Sequence, residues 1–260
     1  MEFDIDGHRA FASTGERPFA PNKGALVLLH GAGMDHTVWS FQARRFAHRG
    51  MAVFAPDFPG HGRSGGPPRA SIESLADWTI GALRALGLDR PLLVGHSMGA
   101  RVALEVAARL GPRAGGLVLV GIAERLAVNP ELRRAAAAGE DRAVDMILKW
   151  SFGGRPADRH WRAARLARRV RRLMARTPPA VLGVDLAACD EDKGAVDAAG
   201  KVACPAAVVA GAGDRMTPPA SARRLAEKIA GAALIEIPDA GHMSPIEAPA
   251  AVAAAIARIA

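Results

Sequence analysis

Residues 92–100 read LLVGHSMGA, and this stretch decides the fold. A short apolar run leads into the pattern Gly-x-Ser-x-Gly centred on Ser97, and a helical pattern follows it. Gly95 and Gly99 flank the serine because a tight strand-to-helix turn leaves no room for side chains at those two places. Such a turn lifts the Ser97 hydroxyl out of the sheet and places it at a helix N-terminus, which favours an anion. The stretch therefore predicts a nucleophilic serine.

Similar short apolar runs recur along the chain and alternate with longer stretches at helical period. The runs lie at 25–29, 51–55, 92–94, 117–120, 206–209 and 234–237. The helical stretches include 71–86 and 101–110, each with its apolar residues on one side. Buried strands that alternate with amphipathic helices are typical of βαβ units, so we expect an α/β fold with a parallel sheet. Residues 3–5 and 9–12 are expected to form a leading antiparallel hairpin turned at Gly7.

The alternation stops between Ile122 and Gly200, where no strand-like run interrupts a stretch rich in Ala and Arg. We interpret this stretch as a helical insertion after one strand, with a return to the sheet at Cys204-Pro205. The expected domain organisation is a core domain over residues 1–121 and 201–260 and a helical cap over residues 122–200.

The positive charge of the chain is concentrated in that insertion. The 260 residues carry 34 Lys and Arg against 26 Asp and Glu, a net charge of +8. Residues 155–176 alone hold nine Arg and one Asp, so the rest of the chain is balanced. Acidic residues at 185, 190, 191, 192 and 197 could fold back on this segment. We interpret it as a solvated helix face and not as a nucleic-acid site, because charge runs at helical spacing usually face solvent. Its apolar residues are expected to turn inward: Trp161, Leu166, Val170 and Leu173.

Cysteine content and hydropathy exclude several classes of protein. Cys189 and Cys204 are too few for a disulfide framework or a four-ligand zinc site, and we expect reduced thiols. No run of about eighteen apolar residues occurs, and residues 1–6 lack the apolar segment of a signal peptide. We therefore expect a cytoplasmic protein that binds neither a membrane nor nucleic acid.

A serine hydroxyl becomes a good nucleophile only when a base removes its proton, so a histidine held by a carboxylate is needed. His242 lies in the loop PDAGHM at 238–243, which follows the last predicted strand. Asp214 lies in GAGD at 211–214, directly after another predicted strand. Catalytic groups in open α/β sheets collect at the carboxyl ends of the strands. The candidates therefore follow the chain order Ser97, Asp214, His242.

Two further motifs accompany these residues: HGAG at 30–33, after a predicted strand, and DFPGHGRS at 57–64. Together with the turn at 95–99, GAGD at 211–214 and Gly241-His242, they make the sequence resemble the α/β-hydrolase superfamily, in its serine-nucleophile, carboxylesterase- and lipase-like branch. The resemblance covers residues 24–121 and 203–258. It implies an α/β-hydrolase fold, with a mostly parallel central sheet flanked by helices and a helical cap insertion.

The resemblance also implies a role for each candidate residue. Ser97 would be the nucleophile, His242 the general base and acid, and Asp214 the partner that orients the histidine. Glu124, after the strand at 117–120, is the alternative to Asp214, since some members of the superfamily take the triad acid from that place.

An oxyanion hole is implied as well, formed by the backbone N–H groups of Met98 and Ala32, with Gly33 as the second choice. Other polar residues of the motifs are interpreted as structural: His30, His61, His96 and Asp57. The substrate pocket is expected to involve a small set of residues from the loop after the first parallel strand and from the cap: Gly33, Trp39, Trp150 and Trp161.

The activity implied by the resemblance is hydrolysis of a small carboxylic ester through an acyl-enzyme, without a cofactor or a metal. Branches with an aspartate nucleophile, such as haloalkane dehalogenases and epoxide hydrolases, are excluded because Ser97 occupies that place. Thioesterase, lactonase, perhydrolase and carbon–carbon bond hydrolase activities are alternatives, as is a non-catalytic small-molecule binder on a hydrolase scaffold. The expected partner is one small ester-like molecule, and the expected assembly is a monomer or a homodimer.

Overall fold

The computed structural model describes residues 1–20, 24–153 and 159–260, with side chains from Ala164 onward in the helix that begins at Arg159. Eight strands form one sheet in the order β1-β2-β4-β3-β5-β6-β7-β8. In chain order they are Glu2–Ile5, His8–Ser13, Ala25–Leu29, Ala52–Pro56, Leu92–His96, Gly116–Val120, Ala206–Gly211 and Ala233–Ile237.

The sheet is parallel from β4 to β8, and β1 and β2 form the antiparallel end. β1 and β2 pair from Glu2↔Phe11 to Ile5↔His8, so a two-residue turn at Asp6-Gly7 closes the predicted hairpin. Both turn residues have positive φ, as the favoured two-residue hairpin turns require. The predicted mostly parallel sheet and the leading hairpin are confirmed.

Helices cover both faces of the sheet. Every residue of β3, β5 and β6 is therefore buried, although side chains leave each strand in both directions. Val27 and Leu29 point to one apolar cluster, whereas Leu26 and Leu28 point to the other. In chain order the helices α1–α11 are Ser40–Ala47, Ile72–Ala85, Met98–Leu110, Pro130–Ala137, Asp141–Ser151, Arg159–Met174, Pro179–Glu191, Ala195–Gly200, Pro219–Ala226, Ser244–Glu247 and Pro249–Ala257.

The first cluster is covered by α2, α3, α8 and α9, and the second by α1 and α11 together with apolar residues of α4–α7. Parallel strands in register bring the loops at their carboxyl ends to one edge: Leu29 pairs with Gly95, and His96 pairs with Val120. None of the helices in the described part of the chain is long and apolar enough to cross a membrane.

Five helices, α4–α8, lie between β6 and β7, and no strand interrupts them within the described residues of that segment. This agrees with the predicted helical insertion. The last of them, α8, packs against α3 and α9 on a face of the sheet. The division into a core domain and a cap domain stays a prediction, and the term cap is used below for α4–α7.

The basic helix α6 turns Val170 and Leu173 inward as predicted, and Leu166 is half-buried. Trp161 lies outside the described side chains. In the described part of the chain, the acidic residues downstream form their ion pairs away from α6. Their described ionic partners lie elsewhere in the chain: His61 for Asp185, Arg133 for Asp190 and Glu191, Arg101 for Asp192, and Lys201 for Asp197. Arg168, Arg169 and Arg172 therefore face solvent.

A buried ion pair fixes the return from the cap to the sheet. Arg101, in α3, is fully buried, and its Nε donates to Asp192 Oδ2 at 2.7 Å while its Nη2 donates to Oδ1 at 3.0 Å. The same guanidinium contacts Glu105 at 3.0 Å. Because the two planar groups face each other, both hydrogen bonds are charge-assisted.

Asp192→Ala leaves the Arg101 guanidinium buried with part of its partners removed, which typically costs about 3–5 kcal/mol of the free energy of unfolding. We expect a loss of that size in urea unfolding followed by circular dichroism. The control is Asp197→Ala, which removes an exposed i,i+4 pair with Lys201 and should leave stability nearly unchanged. Equal stabilities of the two variants would contradict this assignment.

Candidate active site

Ser97 is held in a strained backbone conformation between β5 and α3. Its φ of 54° and ψ of −119° lie outside the regions that side-chain-bearing residues normally adopt. Its N–H donates to the Val120 carbonyl at 2.9 Å, and its carbonyl accepts from the N–H groups of Ala100 and Arg101 at 2.9 and 3.1 Å. Hydrogen bonds on both sides of the residue therefore offset the strain, and the side chain stays half-buried at the end of the sheet.

The flanking glycines are required by direct backbone contact. A Cβ atom at Gly95 would lie 2.0 Å from the Gly99 carbonyl oxygen. A Cβ atom at Gly99 would lie 2.4 Å from the carbonyl oxygens of Leu29 and His30, at the end of β3. Both distances are far inside van der Waals contact, so the turn admits no larger residue there. The expected strand–turn–helix geometry is present.

His242 and Asp214 meet at the same edge of the sheet. His242 Nδ1 lies 2.9 Å from Asp214 Oδ2, and both side chains are buried. Asp214 Oδ1 accepts from the N–H groups of Met216 and Thr217 at 2.8 Å, and the Thr217 hydroxyl donates to Oδ2 at 2.6 Å. Burial opposes the charged form, but His242 and the Thr217 donors together hold the pKa of Asp214 below its ordinary value.

The proton positions follow from these contacts. Asp214 is ionised and accepts, so Nδ1 of neutral His242 carries the proton and Nε2 has a free lone pair. Glu124, the alternative triad acid, is instead engaged by Arg224, with Nε to Oε2 at 2.5 Å. The structure therefore brings Asp214 to His242 and places Glu124 in a surface ion pair.

Two of the other histidines are neutral parts of the scaffold. His30 Nε2 accepts from the Phe58 N–H at 3.0 Å, so its Nδ1 carries the proton and donates to the Gly31 carbonyl at 2.9 Å. His96 Nε2 donates to the His242 carbonyl at 2.8 Å. Burial lowers the pKa of each ring to about 3. Both rings position a neighbouring loop, in agreement with their structural interpretation.

His61 has the opposite charge state. Its Nδ1 faces the Pro59 carbonyl at 3.0 Å, and its Nε2 faces Asp185 Oδ2 at 2.7 Å. Both partners are acceptors, so both ring nitrogens donate and the ring is an imidazolium. Burial opposes this charge, but Asp185 outweighs it and raises the pKa of His61 above its ordinary value.

Asp185, like Thr217 and Glu247, is a residue of the site whose role the sequence did not indicate. It lies in α7 and is fully buried, and it accepts the Gly33 N–H at 2.8 Å as well as the His61 N–H. The only signal in the sequence is a carboxylate among apolar residues at 181–189, VLGVDLAAC, where a solvated charge is out of place.

The loop after β3 has one backbone N–H group, that of Ala32, that the hydrogen bonds of the loop do not use. The Gly31 carbonyl accepts from His30 Nδ1 and from the Met34 N–H at 3.2 Å. Across a planar trans peptide the Ala32 N–H points the opposite way. The Gly33 N–H is used by Asp185. Ala32 and not Gly33 therefore has the available donor, and Ala32 lines the same cavity as Ser97.

A cavity of about 420 Å³ joins Ser97 to His242. Its other walls are mainly apolar and come from the cap and the loops before it, including Leu126, Val128, Leu132, Ile147, Trp150 and Leu186. Trp39, expected in the pocket, is instead fully buried in the core, with its ring 6.5 Å from that of His96. Gly33 lines a separate cavity of about 330 Å³ with Met174 and Leu182. Of the three expected pocket residues that the structure describes, only Trp150 lines the cavity beside Ser97; the Trp161 side chain lies outside the described residues.

A second buried carboxylate joins the segment after α5 to the loop of His242. Glu247 Oε1 accepts the Gly241 N–H and Oε2 the Gly153 N–H, both at 3.0 Å. A Cβ atom at Gly153 would lie 2.3 Å from the Ala240 carbonyl carbon, so the two backbones are in contact. Burial raises the pKa of Glu247 to about 7. The histidine loop is thus supported from the side of the cap.

The comparison with known proteins agrees with this arrangement of strands and loops. Residues 26–255 match the sequence model of the alpha/beta hydrolase family. The chain belongs to this family. It is a hydrolase, and the α/β-hydrolase fold class expected from its motifs is confirmed.

Two similar proteins are pimeloyl-[acyl-carrier protein] methyl ester esterases. The one from Chromobacterium violaceum is 31% identical over 230 residues, which cover 84% of this chain and 86% of that protein. The one from Aromatoleum aromaticum is 31% identical over 239 residues, which cover 85% and 92%. Among solved structures, the enol-lactonase from Burkholderia xenovorans LB400 superposes with a TM-score of 0.87 at 26% identity and covers 100% of this chain and 99% of its own.

The neutral scaffold histidines make the hydrolase sensitive to acid. The unfolded chain binds a proton at each histidine near pH 6.5, whereas folded His30 and His96 resist protonation down to about pH 3. Over that interval protons favour the unfolded state, so the free energy of unfolding falls as the pH falls. His96→Gln keeps an N–H donor for the His242 carbonyl but cannot titrate.

We expect His96→Gln to reduce this fall by about 1.4 kcal/mol per pH unit between about pH 6 and pH 4, measured by urea unfolding at several pH values. The matched control is exposed His48→Gln, which should keep the pH dependence of the wild type. If His96→Gln has the slope of the wild type, His96 is not the neutral buried ring described above.

Proposed function

We propose that this hydrolase cleaves a small carboxylic ester through an acyl-enzyme on Ser97, with His242 and Asp214 completing a catalytic triad. The observation that carries the proposal is the 2.9 Å contact between His242 Nδ1 and Asp214 Oδ2 beside a cavity that Ser97 also lines. Nucleophile, base and orienting acid are the three groups that acyl transfer needs. The mechanism requires no cofactor.

Proton transfer follows from the tautomer of His242. Asp214 holds the proton on Nδ1, so Nε2 accepts the Ser97 hydroxyl proton while Oγ attacks the ester carbonyl carbon. The tetrahedral intermediate collapses as His242 returns this proton to the leaving alcohol. A water molecule, activated by the same Nε2, then attacks the acyl-enzyme and releases the carboxylic acid, and Ser97 recovers its proton.

The oxyanion of each tetrahedral intermediate is assigned to the backbone N–H groups of Ala32 and Met98. Met98 is the first residue of α3, where N–H groups have no partner within the helix. Ala32 is favoured over Gly33 because the Gly33 N–H already donates to Asp185. Each such donor is typically worth about 2.7–4 kcal/mol of transition-state stabilisation.

An ester is favoured as the substrate by the cavity and by the relatives. The apolar walls formed by Leu132, Ile147, Trp150 and Leu186 suit a hydrocarbon acyl group. The names of the two esterases state a methyl ester as the substrate, and the name of the enol-lactonase states a lactone. A lactone is a cyclic carboxylic ester. We therefore propose a linear or cyclic ester as the partner molecule, and no nucleic acid or membrane.

Ser97→Ala is expected to abolish labelling by a fluorophosphonate and to lower kcat for p-nitrophenyl esters by about 10³-fold or more, since the acyl-enzyme cannot form. A series of these esters with increasing acyl-chain length measures how long an acyl group the cavity accepts. The control is Ser221→Ala, in α9 and outside the cavity, which should label and turn over normally.

Retention of more than a few per cent of the activity in Ser97→Ala would overturn the assignment. Labelling of the wild type without ester turnover would leave the triad in place and direct the search to thioesters, lactones and carbon–carbon bonds of vinylogous diketones.

The triad acid has its own matched pair of variants. Asp214→Asn no longer holds the proton on His242 Nδ1, and the equivalent loss in serine proteases costs about 10⁴-fold in kcat. We expect a fall of about 10³- to 10⁴-fold here, and less than about 2-fold for Glu124→Gln, which only loses its ion pair with Arg224. If steady-state kinetics show a larger loss of kcat for Glu124→Gln than for Asp214→Asn, Glu124 is the triad acid.

A further inference from the structure

A fully buried carboxylate of the cap reaches the loop that carries Ala32. Asp185 Oδ2 accepts two N–H donors, from Gly33 at 2.8 Å and from His61 Nε2 at 2.7 Å. The three residues come from α7, from the loop after β3 and from the loop after β4. Neither the His61 nor the Asp185 side chain is exposed to solvent. Three separate segments are thus joined at one oxygen atom.

The side chain that pairs with this carboxylate is a charged histidine. His61 is an imidazolium because Pro59 and Asp185 offer acceptors to both ring nitrogens. The titratable groups that face it are Asp185 from α7, Asp57 from the end of β4, and the neutral ring of His30, whose centroid is 4.9 Å away. The cation therefore lies beside two carboxylates and one neutral ring, with its side chain buried from bulk solvent.

The loop has two peptide planes that decide which N–H group faces the cavity. The first plane, between Gly31 and Ala32, carries the Ala32 N–H and is fixed by His30 through the Gly31 carbonyl. The second plane, between Ala32 and Gly33, is fixed through the Gly33 N–H by Asp185. Gly33 has a φ of +63°, and glycine tolerates both signs of φ, so this plane can rotate when Asp185 is removed.

We propose that Asp185 is a positioning residue of the oxyanion hole: supplied by the cap and paired with His61, it fixes the Ala32–Gly33 peptide and thereby holds Ala32 in the position from which its own N–H, part of the preceding peptide, faces the substrate oxygen. The proposal rests on the proposed function, since it assumes that an oxyanion forms beside Ser97. It also links substrate binding to catalysis, because Leu186 and Cys189 of the same helix line the cavity. A substrate that packs on α7 stabilises the helix that holds the loop.

Removal of the carboxylate should lower kcat much more than it changes KM, because the donor acts on the transition state. We expect about a 100-fold fall in kcat for Asp185→Ala and about 10-fold for Asp185→Asn, which keeps an oxygen acceptor but no charge. KM for the best p-nitrophenyl ester should stay within about 3-fold. The matched control is Glu191→Gln, an exposed carboxylate of α7 paired with Arg133, which should behave as the wild type.

A trifluoromethyl ketone, which adds to Ser97 and leaves an oxyanion, reports the hole directly. Its inhibition constant should rise in proportion to the fall in kcat across the Asp185 variants. If the constant is unchanged while kcat falls, the residue acts only on the stability of the fold and the proposal is wrong. Should Asp185→Ala fail to fold, Asp185→Asn provides the same comparison.

The pH profile gives a readout that a merely structural role would not move. The imidazolium of His61 persists below its raised pKa and is lost above it, so kcat of the wild type should fall on the alkaline side. Asp185→Asn removes the counterion and should move this fall to lower pH. His61→Gln keeps an N–H group for Asp185 but carries no charge at any pH, so its kcat should stay at the low alkaline value of the wild type and lose the alkaline fall. An unchanged alkaline limb in both variants would overturn the proposal.

The rate of labelling by a fluorophosphonate separates this proposal from the proposed function. If the wild type is not labelled at all, Ser97 is not an activated nucleophile and both proposals fail. If the wild type and Asp185→Ala are labelled at the same rate, the positioning role alone fails. Slower labelling of Asp185→Ala and Asp185→Asn than of Glu191→Gln, with ¹⁵N NMR showing both His61 nitrogens protonated in the wild type, is the expected result.

Discussion

The contact between the backbone of Gly99 and the end of β3 is the constraint on which the site depends. A Cβ atom at Gly99 would lie 2.4 Å from the carbonyl oxygens of Leu29 and His30, so the first turn of α3 rests on that strand. The same approach places the loop after β3 beside the serine: a Cβ atom at Gly31 would lie 3.3 Å from Ser97 Cβ. One backbone contact therefore brings the nucleophile, the helix N-terminus and the Ala32 N–H to a common point. Oxyanion stabilisation depends on such fixed geometry.

Buried histidines around this point differ in charge because their partners differ. His30 meets one donor and one acceptor, so a neutral ring satisfies both. His61 meets two acceptors, so only the imidazolium satisfies them. A buried imidazolium is stable only with a carboxylate beside it, and the chain supplies that carboxylate from α7. The cap is therefore joined to the core by charge as well as by apolar packing.

The sequence predicted the parts of the site that follow from local pattern. A strand that runs into Gly-x-Ser-x-Gly, and loops at the ends of later strands, were enough to place Ser97, Asp214 and His242 at one edge of the sheet. Contacts between distant segments were not predictable, since 152 positions separate Gly33 from Asp185. Trp39 was expected in the pocket because it follows the loop after β3, but the short 3₁₀ turn His36–Trp39 before α1 directs the indole into the core. The acidic residues between 185 and 197 were grouped by proximity along the chain, whereas their partners are set by the fold.

The close approach of Gly153, Gly241 and the Glu247 carboxylate has a consequence for how such enzymes diverge. The backbone that leaves α5 touches the loop of His242, and both segments donate to the same side chain. A substitution in this joint would displace the histidine. An exchange of cap helices between relatives therefore has to retain Gly153 and its contact with the loop of His242.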